Sequence, residues 1–427
     1  MPAIDTLAQD QRALRRRGLT LALLTITYFF SYMDRQILAI LQEDIKRELM
    51  LADWQLGLLA GLAFAVFYAT LGIPVAWLAD RTNRKNIVAI SLAIWSAMTA
   101  FGGLSQNFGQ LLAARIGVGI GEAGSSPPSH SMIADLYPPE KRAGAMGIYS
   151  LGVVLGSAFG TFIGGLVAHH YGWRAAMYVI GLPGVALAVI VWLFVVEPRR
   201  GLSDPQHAAA MAAPIPPLRD GFAAILRNPA ALHLVMAVTI TSMIGYGLTA
   251  FGPSYMQRSL DFTKAEIALY IALPGGLCAT LSAVLGGKLA DRFARTHGLH
   301  MQSTMVAVLK TLALPFTLGF LLIDQPGLAI AAYFINLLLA NSYLGPSFAL
   351  IQGLAPVRQR ALWAAITLLV INLVGLGLGP TLVGTISHVL RGPLGEDSLR
   401  WSMILFAAVT PWAIWHYWRA GVLLRAR

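Results

Sequence analysis

The sequence has 427 residues, of which 56% are hydrophobic and 12% are charged, and its mean hydropathy is +0.65. These values exclude a soluble globular chain and predict an integral membrane protein. The net charge of +11 would suit nucleic-acid binding, but the basic residues fall in alternate loops between apolar blocks. This positive-inside pattern predicts that both termini are cytoplasmic and that the number of spans is even.

About twelve apolar blocks are long enough to cross a hydrocarbon core about 30 Å thick. The predicted spans are 19–41, 52–79, 86–106, 109–136, 143–168, 173–196, 230–256, 265–290, 301–323, 327–352, 360–389 and 398–422. The segment 197–227 is too polar and too rich in proline to span, which predicts a cytoplasmic linker. We therefore predict an all-α membrane protein, with an N-terminal six-helix bundle over 1–196 and a C-terminal one over 228–427.

Four charged residues fall inside the predicted spans one and four. At 1.5 Å per residue, Asp34 lies about 22 Å from the cytoplasmic end of its span, and Arg115 lies about 9 Å from the opposite surface. Arg35 shares that depth, and Glu122 lies nearer the midplane on the helix face of Arg115. Buried charges must be balanced, and these two acids and two arginines balance one another. Burial favours the neutral acid while a nearby arginine favours the carboxylate, so we expect Asp34 and Glu122 to exchange protons. We expect Arg35 and Arg115 to bind an anion. A structural ion pair that locks two helices is the alternative.

The glycines of the predicted span five recur at nearly every fourth position, at Gly152, Gly156, Gly160 and Gly164. Such spacing predicts close packing against a neighbouring helix. The single cysteine, Cys278, excludes an internal disulfide and a cysteine-rich metal site.

The motif LADR closes the second span of each half, at Leu78–Arg81 and Leu289–Arg292. This indicates two parallel repeats, with substrate bound between them near the midplane and access alternating as they rock. The spans of the second half are nearly free of charge apart from Lys310, to which no role is assigned. Their candidate substrate-binding residues are polar or aromatic: Tyr246, Asn336, Asn341, Tyr343 and Asn372. Any one of them is more often a helix-packing group than a ligand contact. The asymmetry predicts an amphipathic substrate, with its polar head near Arg35 and Arg115.

The loop AWLADRTNRK (Ala76–Lys85) resembles the signature loop of the major facilitator superfamily, and GKLADR (Gly287–Arg292) resembles its echo. The resemblance implies the fold of that superfamily and a role for Asp80 in capping a helix of the other half. A gating role is implied likewise for Arg81, Arg84, Asp291 and Arg292. As an alternative, the basic residues of the loop serve only as a topology signal.

Four further stretches are similar to the Spinster family: YMDRQ (Tyr32–Gln36), RIGVGIGEAG (Arg115–Gly124), IADLYPPEKRAGAMGIY (Ile133–Tyr149) and YGWRAAMYVIGLPG (Tyr171–Gly184). The resemblance implies a secondary transporter, with eukaryotic relatives that export sphingosine-1-phosphate and lysophospholipids. Together with the charged residues of spans one and four and the charge-poor second half, it leads us to predict a proton-coupled transporter of an amphipathic anion such as a lysophospholipid or a sphingoid phosphate. The aspartate–arginine pair of span one and the GEA of span four also look like organic-anion symporters, so a sugar acid or aromatic acid is the alternative substrate. A channel is less favoured because no filter or charged-ring repeat is evident.

Neither an enzyme nor a cofactor or metal site is predicted. The expected partners are a small molecule, protons and the lipid bilayer, with no nucleic acid. We expect a monomer in the bacterial inner membrane.

Overall fold

The structure is a computed structural model that describes residues 10–79, 81–203, 217–356 and 359–426, and these residues form helices and no strand. The helices of the first half are Arg17–Glu48, Asp53–Ala60, Leu62–Ala79, Arg84–Gly102, Phe108–Glu122, Ser126–Leu136 and Pro139–Phe194. The helices from the linker to the end of span ten are Leu218–Arg227, Pro229–Ser259, Lys264–Glu266, Ile267–Ala272, Leu273–His297, His300–Leu322, Pro326–Ala340 and Leu344–Leu354. The last are Arg360–Val370, Ile371–Leu378, Gly379–Leu394, Gly395–Asp397, Ser398–Ala407 and Thr410–Arg425.

Eight of the described helical stretches are long and apolar enough to cross a membrane. Two of these, Pro139–Phe194 with 56 residues and Leu362–Arg425 with 64, are each long enough for two spans. The charged helix Arg17–Glu48 and the broken helix over 108–136 correspond to the predicted spans one and four. Counted in this way, the described helices fit the predicted twelve-helix fold.

The boundary between spans five and six lies at Gly172, which has φ 82° and ψ 166° inside the stretch Pro139–Phe194. Residues with a side chain rarely adopt this backbone conformation, so a glycine is needed there. The separation falls between the predicted spans 143–168 and 173–196.

The predicted span 109–136 consists of two helices. The first part ends at Glu122 and the second begins at Ser126, with Pro127 and Pro128 in its first turn. Proline has no backbone N–H to donate to the preceding turn, which favours a break at this position. The predicted span 327–352 is interrupted in the same way between Ala340 and Leu344.

The chain divides into two compact units, one formed by 1–50 and 63–214 and the other by 51–62 and 215–427. The predicted bundle limits 1–196, 197–227 and 228–427 stay a prediction. Within the predicted linker, the described part contains the short helix Leu218–Arg227.

In the first unit, span five packs against span one through its glycines. A Cβ added to Gly152, Gly156 or Gly160 would collide with the backbone of span one, at Thr25, Phe29 and Met33 respectively. The helices therefore approach to backbone contact, which confirms the predicted helix packing. This contact fixes the position of span one, which carries half of the charged site.

In the second unit, residues 51–62 pack against span eleven. Asp53 accepts hydrogen bonds from both terminal nitrogens of Arg258, at 3.0 and 2.9 Å, and one from Ser387 Oγ at 2.7 Å. The two charged side chains are only 1% and 8% exposed. This buried ion pair ties the beginning of the helix Asp53–Ala60 to spans seven and eleven.

Candidate functional site

The four charges predicted in spans one and four lie together in the first unit. Arg35 donates from Nε to Glu122 Oε2 at 2.8 Å, and its Nη2 lies 2.6 Å from the same oxygen. Ser31, one helical turn before Arg35, donates to Glu122 Oε2 at 2.8 Å. The Glu122 side chain is fully buried and that of Arg35 is 14% exposed. The two residues thus form a buried, charge-assisted pair between span one and span four.

The second pair joins the other two charges. Arg115 Nη1 lies 3.8 Å from Asp34 Oδ1, and Thr99 of span three donates to Asp34 Oδ2 at 2.6 Å. All three residues are buried. The partners are therefore crossed: Arg115 faces Asp34 and Glu122 faces Arg35, although Arg115 and Glu122 belong to the same helix. Both pairs link span one to span four. The arrangement therefore also fits the alternative, in which a structural ion pair locks two helices together.

Aromatic rings enclose the guanidinium of Arg35. Its Cζ lies 4.9 Å from the ring centroids of Tyr32 and Phe64 and 4.6 Å from that of Tyr68. Arg115 Cζ lies 5.5 Å from the same Phe64 ring. Cation–π contact of this kind stabilises an arginine away from water.

Sequence reasoning missed several of these groups. The contributions of Ser31, Thr99 and the three rings were not predicted. The i, i+4 spacing of Phe64 and Tyr68 in span two is a signal that points to one shared helix face.

Each carboxylate keeps one oxygen without a hydrogen bond. Among the described residues, Asp34 Oδ1 and Glu122 Oε1 are buried and accept none. A buried carboxylate oxygen without a donor is costly. Each acid therefore accepts its hydrogen bonds on one oxygen only, Oδ2 of Asp34 and Oε2 of Glu122.

The candidates of the second unit are placed in spans seven, ten and eleven. Asn336 donates to Ala313 O at 3.3 Å and also bonds Thr317 Oγ1, and Asn341 donates to Leu337 O at 3.0 Å. Asn336 thus joins span ten to span nine, whereas Asn341 bonds within its own span. The Tyr343 hydroxyl lies 3.1 Å from Ser242 Oγ.

Two further candidates complete this set. Tyr246 packs against the core cluster around Trp363 and Tyr417. Asn372 is half-buried in the π-helical segment Ile371–Leu378.

The residues implied in gating have different surroundings. Asp80 lies outside the described residues. Arg81 is exposed and stacks on Trp77, with its Cζ 4.0 Å from the ring centroid. Asp291 and Arg292 are exposed near the end of span eight.

Arg84, by contrast, is 1% exposed. It bonds Asp135, Glu197 Oε1 at 2.7 Å, Ser131 Oγ at 2.8 Å and the Pro198 carbonyl at 2.6 Å. Arg84 thus joins span three to span four and to the residues that follow span six.

Comparisons with known proteins agree with this architecture. Residues 24–380 match the model of the Major Facilitator Superfamily. The chain is 33% identical over 424 residues to an MFS-type efflux pump of Mycolicibacterium smegmatis, covering 99% of this chain and 97% of that protein. It is 27% identical over 420 residues to the protein spinster homolog 1 of Bos taurus, covering 91% of this chain and 78% of that one.

A solved structure is similar over nearly the whole chain. It is a bacterial homologue of the human lysosomal transporter Spinster, in an inward-facing and occupied conformation. The TM-score is 0.85 with 29% sequence identity, over 96% of this chain and 98% of that one. The matched proteins are transporters and not enzymes. The chain therefore belongs to the major facilitator superfamily of membrane transporters and is similar to its Spinster members.

Proposed function

We propose that the protein is a proton-coupled secondary transporter of an amphipathic anion, such as a lysophospholipid or a sphingoid phosphate, and that it works by alternating access. The observation that carries the proposal is the buried cluster of two acids and two arginines in crossed pairs. Ionisable groups inside a membrane protein are rare and mark ion or substrate pathways.

The crossed pairs supply a mechanism for coupling. An anion that binds Arg35 or Arg115 competes with Glu122 or Asp34 for the same guanidinium. The acid that loses its arginine is then buried without a counter-charge, and protonation is favoured. Substrate and proton therefore promote each other's binding, with equal effect in both directions.

The alternative substrate, a sugar acid or an aromatic acid, is favoured by one observation. The three rings around Arg35 would stack well on an aromatic acid whose carboxylate pairs with the guanidinium. The amphipathic substrate is favoured by the second unit, whose described spans are apolar apart from Lys310 and their ends.

A stabilisation screen separates the two substrates. The protein in nanodiscs is heated with oleoyl lysophosphatidic acid, sphingosine-1-phosphate, galactonate or 4-hydroxybenzoate, and with monoolein as a neutral lipid of matched chain length. We expect the phosphorylated lipids to raise the unfolding midpoint and monoolein to raise it less, because a ligand stabilises the folded state it binds. A rise with galactonate or 4-hydroxybenzoate alone would reject the lipid substrate in favour of the organic acid.

The proposal also includes the orientation, with both termini and the linker 197–227 in the cytoplasm of a bacterium. We expect an Ala209→Cys variant, combined with Cys278→Ser, to react with an impermeant thiol reagent in inside-out vesicles only. Leu104→Cys is the control on the opposite side, since Leu104 is 61% exposed between spans three and four. Labelling of position 209 in intact cells would contradict the orientation.

A further inference from the structure

Span nine carries a lysine at the centre of the bilayer. The helix His300–Leu322 has 23 residues, so at 1.5 Å per residue it is about 34 Å long. Lys310 lies about 15 Å from its first residue, close to the middle of a hydrocarbon core about 30 Å thick. A charged side chain at this depth is costly, so it requires a counter-charge or a function.

No described carboxylate of the second unit supplies that counter-charge. The spans over 229–259, 300–322, 326–354, 360–394 and 398–425 contain neither aspartate nor glutamate. Span eight has Glu266 in its first turn and Asp291 near its last, far from the midplane. Glu266 caps its own helix by accepting hydrogen bonds from Thr263. Asp53 is bound to Arg258 and Ser387.

The head of Lys310 points toward neighbouring helices of the second unit. Its Nζ lies 4.6 Å from the centroid of the Tyr343 ring in span ten. The Tyr343 hydroxyl in turn lies 3.1 Å from Ser242 Oγ in span seven. Both Lys310 and Tyr343 are half-buried, and Tyr343 packs against the core cluster of this unit. The ammonium of span nine thus lies against span ten, whose Tyr343 in turn contacts span seven.

This setting differs from that of the two arginines of the first unit. Arg35 and Arg115 each already pair with an acid, so each must give up a carboxylate before it binds a substrate anion. The ammonium of Lys310 lies over the Tyr343 ring instead. An oxyanion that reaches it gains charge-assisted hydrogen bonds without displacing a protein carboxylate.

We propose that Lys310, with Tyr343 beside it, forms a second anion-binding site, which takes the phosphate or carboxylate headgroup of the substrate within the second unit. The inference rests on the proposed function for the nature of the substrate. Lysine suits this role because its ammonium is a compact charge with three donors that can turn toward an oxyanion.

The test compares Lys310→Met with the wild type for binding of oleoyl lysophosphatidic acid and of monoolein in nanodiscs. We expect the Met variant to bind lysophosphatidic acid about ten- to a hundredfold more weakly, the range expected for hydrogen bonds to a charged group. Monoolein, which has no charge, should bind equally well. Lys310→Arg should keep the preference for the anionic lipid. Lys288→Met, at an exposed lysine of span eight, should change neither affinity.

An unchanged affinity for lysophosphatidic acid in Lys310→Met would overturn the proposal, and so would an equal loss for both lipids. If Lys310→Met and Lys310→Gln fail to fold while Lys310→Arg folds, the charge is structural and the proposal is also overturned. Competition by glycerol 3-phosphate and by inorganic phosphate shows whether the site needs the acyl chain. The proposed function would fail in a different way. The wild type would then bind the lipid through Lys310, but transport of the lipid would not be coupled to protons.

Discussion

Replacing Asp34 with asparagine is expected to abolish substrate accumulation driven by a pH gradient, while exchange of substrate at equal pH persists. Asparagine keeps the size of the side chain and an oxygen that can accept the hydrogen bond from Thr99, which is 2.6 Å long. It has no proton to exchange, and it offers Arg115 no counter-charge. Exchange at equal pH requires no net proton movement, so it should survive.

The measurement uses proteoliposomes loaded with substrate for exchange, and empty ones with an imposed pH gradient for accumulation. Asp44→Asn is the matched control, because it makes the same change in the same helix, at a residue 3.8 Å from the exposed Arg47. This control should accumulate substrate as the wild type does. Full accumulation by Asp34→Asn would remove Asp34 from the coupling role, and the same experiment would pass to Glu122→Gln.

Replacing Arg84 with methionine is expected to lower stability by about 3–5 kcal/mol, the cost of removing one partner from a buried ion pair. The change leaves Asp135 and Glu197, which are 14% and 17% exposed, without their shared counter-charge. It also removes the donor to the Pro198 carbonyl. Thermal unfolding of the protein in detergent, with and without the change, measures the effect.

Arg81→Met is the matched control for this prediction. Arg81 belongs to the same loop and is exposed, so its loss should change the unfolding midpoint little. Arg84→Lys should fall between the two, because it keeps the charge and loses the planar fork. Equal unfolding midpoints for Arg84→Met and Arg81→Met would show that the buried contacts of Arg84 add little to stability. That result would favour the alternative in which both arginines serve only as a topology signal.

The fold was largely predictable because it depends on features that are local in sequence. Span length follows from bilayer thickness, and the halves follow from the repeated LADR motif. The limits of spans five and six were placed on either side of Gly172, which the structure shows in a non-helical conformation. The breaks in the predicted spans four and ten were missed, since a proline inside an apolar run often only kinks a helix.

The four charges of the site were also predictable, because an ionisable residue within an apolar block stands out. Their pairing was not. Whether Arg115 pairs with Asp34 or with Glu122 depends on how spans one and four are rotated about their axes. It also depends on the length of the side chains, because a long side chain can reach a partner one or two helical turns away. Thr99 could not be found either, since a threonine in a span is more often bonded to its own helix. Thr99 does both, donating to Trp95 O at 3.0 Å and to Asp34.

Coupling of substrate to protons is the central claim, and it is tested most directly by proton movement in the wild-type protein. Proteoliposomes with a trapped pH-sensitive dye are given oleoyl lysophosphatidic acid on one side, with no initial pH gradient. The account predicts a substrate-dependent change in internal pH that exceeds that of protein-free liposomes and that disappears in Asp34→Asn or Glu122→Gln. Protein-dependent entry of the lipid with no change in internal pH would contradict it.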